Sequence, residues 1–402
     1  MAKLKPKFIK IISKIYSFVV GLLSKILPLK NYIIFESHSD FCDNSKAVFN
    51  KIMSYGLNKY YKIYWFVDNK DAFNSLEFTN VEFVQIKHNS FSKKIIGEIK
   101  RVILFASCKY YFFSHRNLAR NMPKRGQVFF NLTHGTPLKD STGRHNSIKK
   151  SSYILTTSEF SGDLRVRTFE GGEEKLKILG FPRNDFLFEH NKVLEKLGYS
   201  KQQFNKVIIW MPTFRRHKIS GVNDSGALDE EKDIPILSDD TELNELKSIL
   251  SNNKVLLIIK PHPAQDLRFI KVEESYNIRI VTNDELFNNN IELYNLLGES
   301  DALITDYSSV YMDYLILGKP IGFTIDDLPK YTKNLGFLVK NPLDYMPGHK
   351  IRECSDMIKF IEDVCRDLDT YSEERETICN LFNKYKDNKS SDRVLQFLGL
   401  IQ

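Results

Sequence analysis

The chain has 402 residues, of which 42% are hydrophobic and 27% charged, with a formal net charge of +8. That is a globular composition with room for two domains, and the positive balance admits a polyanionic partner or an anionic membrane surface. Its five cysteines (Cys42, Cys108, Cys354, Cys365, Cys379) are scattered, odd in number and include no C-x-x-C pair, which argues against a disulfide framework or a zinc site and fits a reducing compartment.

Lys3 to Pro28 is an apolar segment studded with lysine. Its longest charge-free run, Ile15 to Ser24, is about half of the roughly 20 residues that a membrane-spanning helix needs. At about 100° per residue, Lys7, Lys10, Ser13, Lys14, Ser17, Gly21, Ser24 and Lys25 share one face. Phe8, Ile9, Ile12, Ile15, Val19, Leu22, Leu23 and Ile26 fill the other. The pattern predicts an amphipathic helix over residues 1–30 that lies in a membrane interface. A cleaved signal peptide and an ordinary core helix are the alternatives, and no small-x-small cleavage site follows.

From Asn31 short apolar runs alternate with helical stretches. Tyr32–Phe35, Tyr61–Val67, Val81–Ile86, Lys109–Phe113, Val128–Leu132 and Tyr153–Thr157 read as strands, with helices near Lys46–Tyr55, Phe91–Ser107 and Phe160–Phe169. This alternation predicts a Rossmann-like domain over residues 31–190, with ligands beyond the strand C-termini. Thr133-His134-Gly135-Thr136-Pro137-Leu138-Lys139 follows one such strand. There His134 is a candidate general base and Gly135 permits close backbone approach. A histidine that merely bonds its own loop is the plainer alternative. Lys139, Arg144, His145, Lys149 and Lys150 add charge that suits either solvent or an anionic acceptor.

Gly180-Phe181-Pro182-Arg183-Asn184-Asp185 ends a strand, and the charged stretch from Glu189 to Asn205 reads as a connection to a second Rossmann-like domain over residues 191–385, with a final helix over 386–402. Val207–Met211 is a strand that runs into Pro212-Thr213-Phe214-Arg215. Residues His217 to Asp240 form a polar, aperiodic loop, a candidate substrate lid. A helix from about Thr241 leads to strand Val255–Ile259 and to Lys260-Pro261-His262-Pro263. Ile278–Val281 is a further strand, and Glu292–Gly298 a short helix. Leu303-Ile304-Thr305-Asp306-Tyr307-Ser308-Ser309 then reads as strand and turn, opening a helix that carries Asp313 and ends near Leu317 before Gly318 and Pro320. Ser308 and Ser309 at that helix start are candidate N-caps and candidate anion ligands. Strand Pro320–Thr324 and helices near Glu353–Leu368, Ser372–Tyr385 and Ser391–Leu398 close the chain. A cleft between the domains would collect His134 with Arg215, His262 and the two serines, and Arg215 suits bidentate phosphate binding. Asp306 and Asp313 flank the helix start in a way that disfavours a shared metal.

The ordered set H-G-T-P-L-K (134–139), G-F-P-R-N-D (180–185), M-P-T-F-R (211–215), K-P-H-P (260–263) and D-Y-S-S-V-Y-M-D (306–313) resembles the CDP-glycerol glycerophosphotransferase family, which includes teichoic acid primases and polymerases and related capsule enzymes. The resemblance covers most of the chain from about residue 100 onward. It implies a GT-B architecture on a peripheral membrane enzyme at the cytoplasmic face, with no cofactor or metal. Such an enzyme transfers glycerol phosphate or ribitol phosphate from CDP-glycerol or CDP-ribitol to a hydroxyl of a lipid-linked polyanionic or saccharide acceptor and releases CMP. Nucleic acid is not an expected partner. Carried over, His134 is the general base and His262 a donor-phosphate ligand that stabilises developing charge. Arg215, Ser308 and Ser309 bind the CDP-alditol, with Thr213, Lys260, Gly135 and Asp306 beside them and Asp313 near the alditol hydroxyls. The family's Arg-Gly-Phe element stands here as Asn334-Leu335-Gly336-Phe337, without the arginine. A sugar-nucleotide glycosyltransferase of the same fold is the alternative activity.

Overall fold

The structure is a computed structural model. It describes residue 16 and residues 18–119, 121–140, 142, 150–212, 236–237, 240–262 and 272–402. Lys7 and Lys10, Arg144, His145 and Lys149, Thr213 and Arg215, and most of the His217–Asp240 loop lie outside the described residues.

Two parallel sheets organise the chain. The first contains β1 (Tyr32–Glu36), β2 (Lys62–Val67), β3 (Val81–Gln85), β4 (Tyr110–Phe113), β5 (Val128–Asn131), β6 (Tyr153–Thr156) and β7 (Leu176–Ile178), in the order β3-β2-β1-β4-β5-β6-β7. The second contains β8 (Lys206–Met211), β9 (Val255–Ile259), β10 (Ile278–Ile280), β11 (Ala302–Thr305), β12 (Ile321–Thr324) and β13 (His349–Ile351), in the order β10-β9-β8-β11-β12-β13. Strands such as Val255-Leu256-Leu257-Ile258-Ile259 are buried throughout. That is why they read as continuous apolar runs: helices cover both faces of a parallel sheet, so neither face needs polar residues. Chain order reverses between β1 and β4 in one sheet and between β8 and β11 in the other.

The expected strands are present with ends shifted by a residue or two, whereas β13 had no sequence signal, since His-Lys-Ile is too short to show a period. The helices that position the site are α1 (Asp43–Ser54), α2 (Phe91–Ser107), α3 (Glu159–Phe169), α4 (Leu293–Glu299) and α5 (Val310–Tyr314). Helix α5 is shorter than the pattern predicts: it tightens to a 3-10 turn over Leu315–Leu317 and ends at Gly318, whose φ of 68° suits glycine.

Helices α6 (Ser372–Phe382) and α7 (Ser390–Phe397) carry the chain back to the first sheet. The Asp185 carboxylate accepts the Ser390 and Ser391 N–H groups at 2.8 and 2.9 Å, and Val394 and Leu395 join the core of Ile33, Phe35 and Phe181. The final helix, expected over 386–402, is therefore part of the first unit's core. A second apolar cluster runs across both units, joining Leu138, Leu164 and Phe186 to Leu303, Tyr307 and Tyr311.

At the N-terminus residues 18–26 are helical. Val20 and Ser24 point inward, and Lys124 Nζ donates to the Ser24 carbonyl at 2.7 Å. Phe18, Val19, Leu22 and Ile26 are exposed. No described helix is long and apolar enough to cross a membrane.

Candidate active site

His134 stands in the loop beyond β5, where the backbone leaves the strand through Thr133 in the left-handed region (φ 56°). A non-glycine residue holds that conformation only when its surroundings over-determine it. Here the buried Asn44 amide of α1 donates to the Leu132 and Thr133 carbonyls at 3.1 and 3.0 Å. The Asn44 carbonyl accepts the Arg183 N–H at 3.0 Å and ties the His134 loop to the Pro182 turn. Arg165 of α3, itself buried, donates to the Gly135 carbonyl.

His134 Nδ1 lies 3.3 Å from the Ser114 carbonyl. A carbonyl only accepts, so this bond places the proton on Nδ1 and makes Nε2 the accepting nitrogen of the neutral ring. The ring keeps an edge open to solvent yet stands among protein atoms and cations. Lost hydration, with repulsion from His115, Arg165 and Arg183, holds its pKa well below the usual histidine value. Because one edge stays wet, desolvation is partial, but the three cationic neighbours push in the same direction. An imidazole held neutral at pH 7 is ready to accept a proton.

Gly135, with φ at 140°, seats this loop against the serine turn of the second sheet. A Cβ added there would press on Ser309 Oγ and stand 3.1 Å from Ser309 Cβ and 3.3 Å from Arg183 Nη2. Ser308 and Ser309 follow β11 and are half-buried. The predicted cap is corrected by the geometry: Ser309 has helical φ and ψ and makes no side-chain capping bond. With only five residues in α5, the helix dipole there is also small. What the serines offer is hydroxyl chemistry.

Arg183 joins the two sides. Its Nη1 donates to the His134 carbonyl and to Asp43 Oδ1, both at 3.0 Å, and its Nη2 donates to Asp313 Oδ2 at 2.6 Å. Burial opposes its charge, but Tyr294, Asp313 and Asp43 together keep its pKa well above the ordinary arginine value. Asp313 also accepts from the Tyr294 hydroxyl at 2.6 Å and from the Asn184 amide at 3.4 Å. Its carboxylate is buried and bonded to these protein donors, at the position where the sequence predicts an alditol ligand. Asp306 is fully buried beneath the turn, and Thr305 Oγ1 ties β11 to the Met211 carbonyl at 2.8 Å.

Lys260 and His262 follow β9, which is separated from β11 by β8, or about 10 Å at ordinary strand spacing. His262 is exposed. Lys260 is buried, its Nζ donating to the Pro261 carbonyl at 3.0 Å, and burial lowers its pKa to about 8. The structure thus unites His134, Gly135, Ser309 and Asp313, and lines up Lys260 and His262 along the second sheet's edge.

Several contributors were not singled out from sequence. Arg183 and Asn184 lie in the Gly180–Asp185 motif, and a polar pair directly after a strand is their local signal. Asn44, Arg165 and Tyr294 lie on helical stretches with nothing local to mark them. The Asn334–Phe337 stretch, where the family's arginine is absent, pairs with the His134 loop: Asp140 N–H donates to the Gly336 carbonyl at 3.1 Å and Leu338 N–H to the Leu138 carbonyl at 2.8 Å.

Residues 22–399 match the family model described as CDP-glycerol:poly(glycerophosphate) glycerophosphotransferase. The chain is 28% identical over 367 residues to a teichoic acid poly(glycerol phosphate) polymerase of Bacillus spizizenii, covering 83% of this chain and 84% of the relative. It is 25% identical over 401 residues to a teichoic acid glycerol-phosphate transferase of Staphylococcus aureus, covering 93% and 94%. Among solved structures, a histidine-to-alanine variant of the wall teichoic acid polymerase TagF superimposes with a TM-score of 0.74 at 22% identity, covering 99% of this chain and 98% of that one, a likeness of fold.

Proposed function

As the chain belongs to the CDP-glycerol:poly(glycerophosphate) glycerophosphotransferase family, we propose that it transfers glycerol phosphate, or ribitol phosphate, from a CDP-activated alditol to a hydroxyl of a lipid-linked acceptor in teichoic acid biosynthesis, with release of CMP. The observation that carries this reading is the seating of Gly135 against Ser309, which brings the His134 loop of one sheet and the serine turn of the other together. That juxtaposition suits a GT-B arrangement, with an acceptor side formed by residues 31–190 and a donor side by 191–385.

His134 Nε2 takes the proton of the acceptor hydroxyl. The freed oxygen attacks the phosphorus that bears the alditol, and the bond to the CMP phosphate breaks as CMP leaves. Phosphoryl transfer of this kind depends on positioning and on charge stabilisation at the equatorial oxygens. Ser308, Ser309, His262, Arg215 and Thr213 are assigned as those donors, and Lys260 as a further charge. Asp306 supports the serine turn. Asp313 acts through Arg183, orienting the His134 carbonyl.

Membrane placement is supported by two neighbouring helices with outward apolar faces. Tyr16 donates to Glu98 of α2, and α2 exposes Phe91, Ile95, Ile96, Ile99 and Ile103 beside Lys93, Lys94 and Lys100. With Phe18, Val19, Leu22 and Ile26 they form a lysine-rimmed apolar surface suited to an anionic leaflet.

The decisive experiment incubates the purified chain with CDP-glycerol or CDP-ribitol and a lipid-linked acceptor. Released CMP and a product heavier by one alditol phosphate are expected. Transfer of a sugar from a UDP- or GDP-activated donor would replace this reading with the glycosyltransferase.

A further inference from the structure

Open α/β sheets take ligands in the crevice outside the strand carboxyl ends, at the point where chain order reverses. In the second sheet that point lies between β8 and β11, and the donor of the proposed reaction occupies it. The corresponding crevice of the first sheet lies between β1 and β4, on the acceptor side.

Its walls are imidazole and guanidinium. His38 follows the end of β1, and His115 and Arg116 follow the end of β4; all three are exposed. They form a row that runs away from the base. The His134 and His115 ring centroids are 4.5 Å apart, those of His115 and His38 5.0 Å, and Arg116 Nη2 lies 3.4 Å from His38 Nδ1. The backbone beneath the row is held: the buried Glu36 carboxylate accepts the N–H groups of His115 and Arg116 at 3.3 and 3.2 Å.

The nearby carboxylates do not fill the crevice. Glu36 lies under the row, occupied by those N–H groups and 3.9 Å from Arg116 Nε, and burial raises its pKa to about 7. Asp68 is shared between Lys87 at 2.6 Å and Arg116 at 3.6 Å. Asp40 accepts the backbone N–H groups of Asp68 and Asn69 at 2.7 and 3.3 Å. Two imidazoles and a guanidinium therefore line the row with donor groups.

We propose that this crevice binds the phosphodiester of the acceptor's terminal alditol-phosphate unit. The inference rests on the transferase reading. An acceptor ending in an alditol phosphate carries that anion a few bonds from its attacking hydroxyl. With the hydroxyl at His134 Nε2, the phosphodiester falls beside His115, and the next unit continues toward His38 and Arg116. An imidazole offers an N–H donor, and arginine a planar fork that matches phosphate oxygens.

The test titrates the full chain with glycerophosphoglycerol, its uncharged analogue diglycerol, and inorganic phosphate, read by ligand-observed NMR, with CDP-glycerol affinity measured in parallel. The wild-type chain is expected to bind glycerophosphoglycerol in preference to both others. His115→Ala and Arg116→Ala should each weaken it about tenfold or more, as loss of a charge-assisted hydrogen bond does, while CDP-glycerol affinity stays at the wild-type value. His38→Ala, at the outer end of the row, gives a second variant should His115→Ala fail to fold. Equal binding of diglycerol, equal competition by inorganic phosphate, or unchanged affinity in the variants would overturn the proposal. A wild-type chain that bound glycerophosphoglycerol but released CMP from neither CDP-glycerol nor CDP-ribitol would instead reject the transferase reading and leave the anion site standing.

Discussion

At the scale of single residues, the proposed mechanism depends on an imidazole kept neutral. The depressed pKa of His134 sets the sign of the pH dependence: the base is active in its unprotonated form, so lowering its pKa widens the active range toward acid. The acid limb of kcat/KM should therefore fall below the ordinary histidine pKa of about 6.5. His134→Ala should lower transfer by about 10² to 10⁴-fold, the usual worth of a general base, with CDP-glycerol binding retained in a calorimetric titration. Loss of donor binding instead would remove the assignment. Gly135→Ala tests the seating of the loop. The added methyl meets Ser309 and Arg183, and the φ of 140° disfavours any side chain. Displacement of the base by even 1 Å costs on the order of 10²-fold, so a kcat close to wild type would show that the contact does not set the geometry.

At the scale of elements, Arg183 and Asp313 matter more than either does as a ligand. The 3-10 turn Pro182–Phe188 and helix α5 belong to different sheets, and this buried ion pair joins them with Asp43 and Tyr294 as further partners. Such a pair is weak evidence of net stability, because desolvation offsets the Coulomb gain, but removing one partner strands the other. Arg183→Ala should accordingly cost about 3–5 kcal/mol in denaturant unfolding, and should lower kcat as the His134 carbonyl loses its donor. Unchanged stability together with unchanged kcat would contradict both duties.

For the whole molecule, the outward apolar faces of the N-terminal helix and α2 predict where the protein works. Lysines near an anionic leaflet contribute about 1 kcal/mol each, and buried apolar area adds to that. Deleting residues 1–28 should reduce co-sedimentation with anionic vesicles while leaving turnover on a soluble acceptor measurable. A truncated chain that sediments as before would move the anchor to α2 or remove it.

What the sequence determined by itself was the order of elements and the residue types of the site. Period and composition mark strands and helices locally, and the five motifs sit at strand ends, where parallel sheets expose their loops. The tertiary structure decided which of those residues meet. Arg183 and Asp313 are 130 positions apart, and Gly135 reaches Ser309 across two sheets. No local pattern encodes such pairings, because they follow from packing one apolar cluster across both units. The same packing buried Asp313 and Lys260, which in sequence look like any polar residues beside a strand. It also left Ser309 without a capping bond, by setting its backbone in helical φ and ψ.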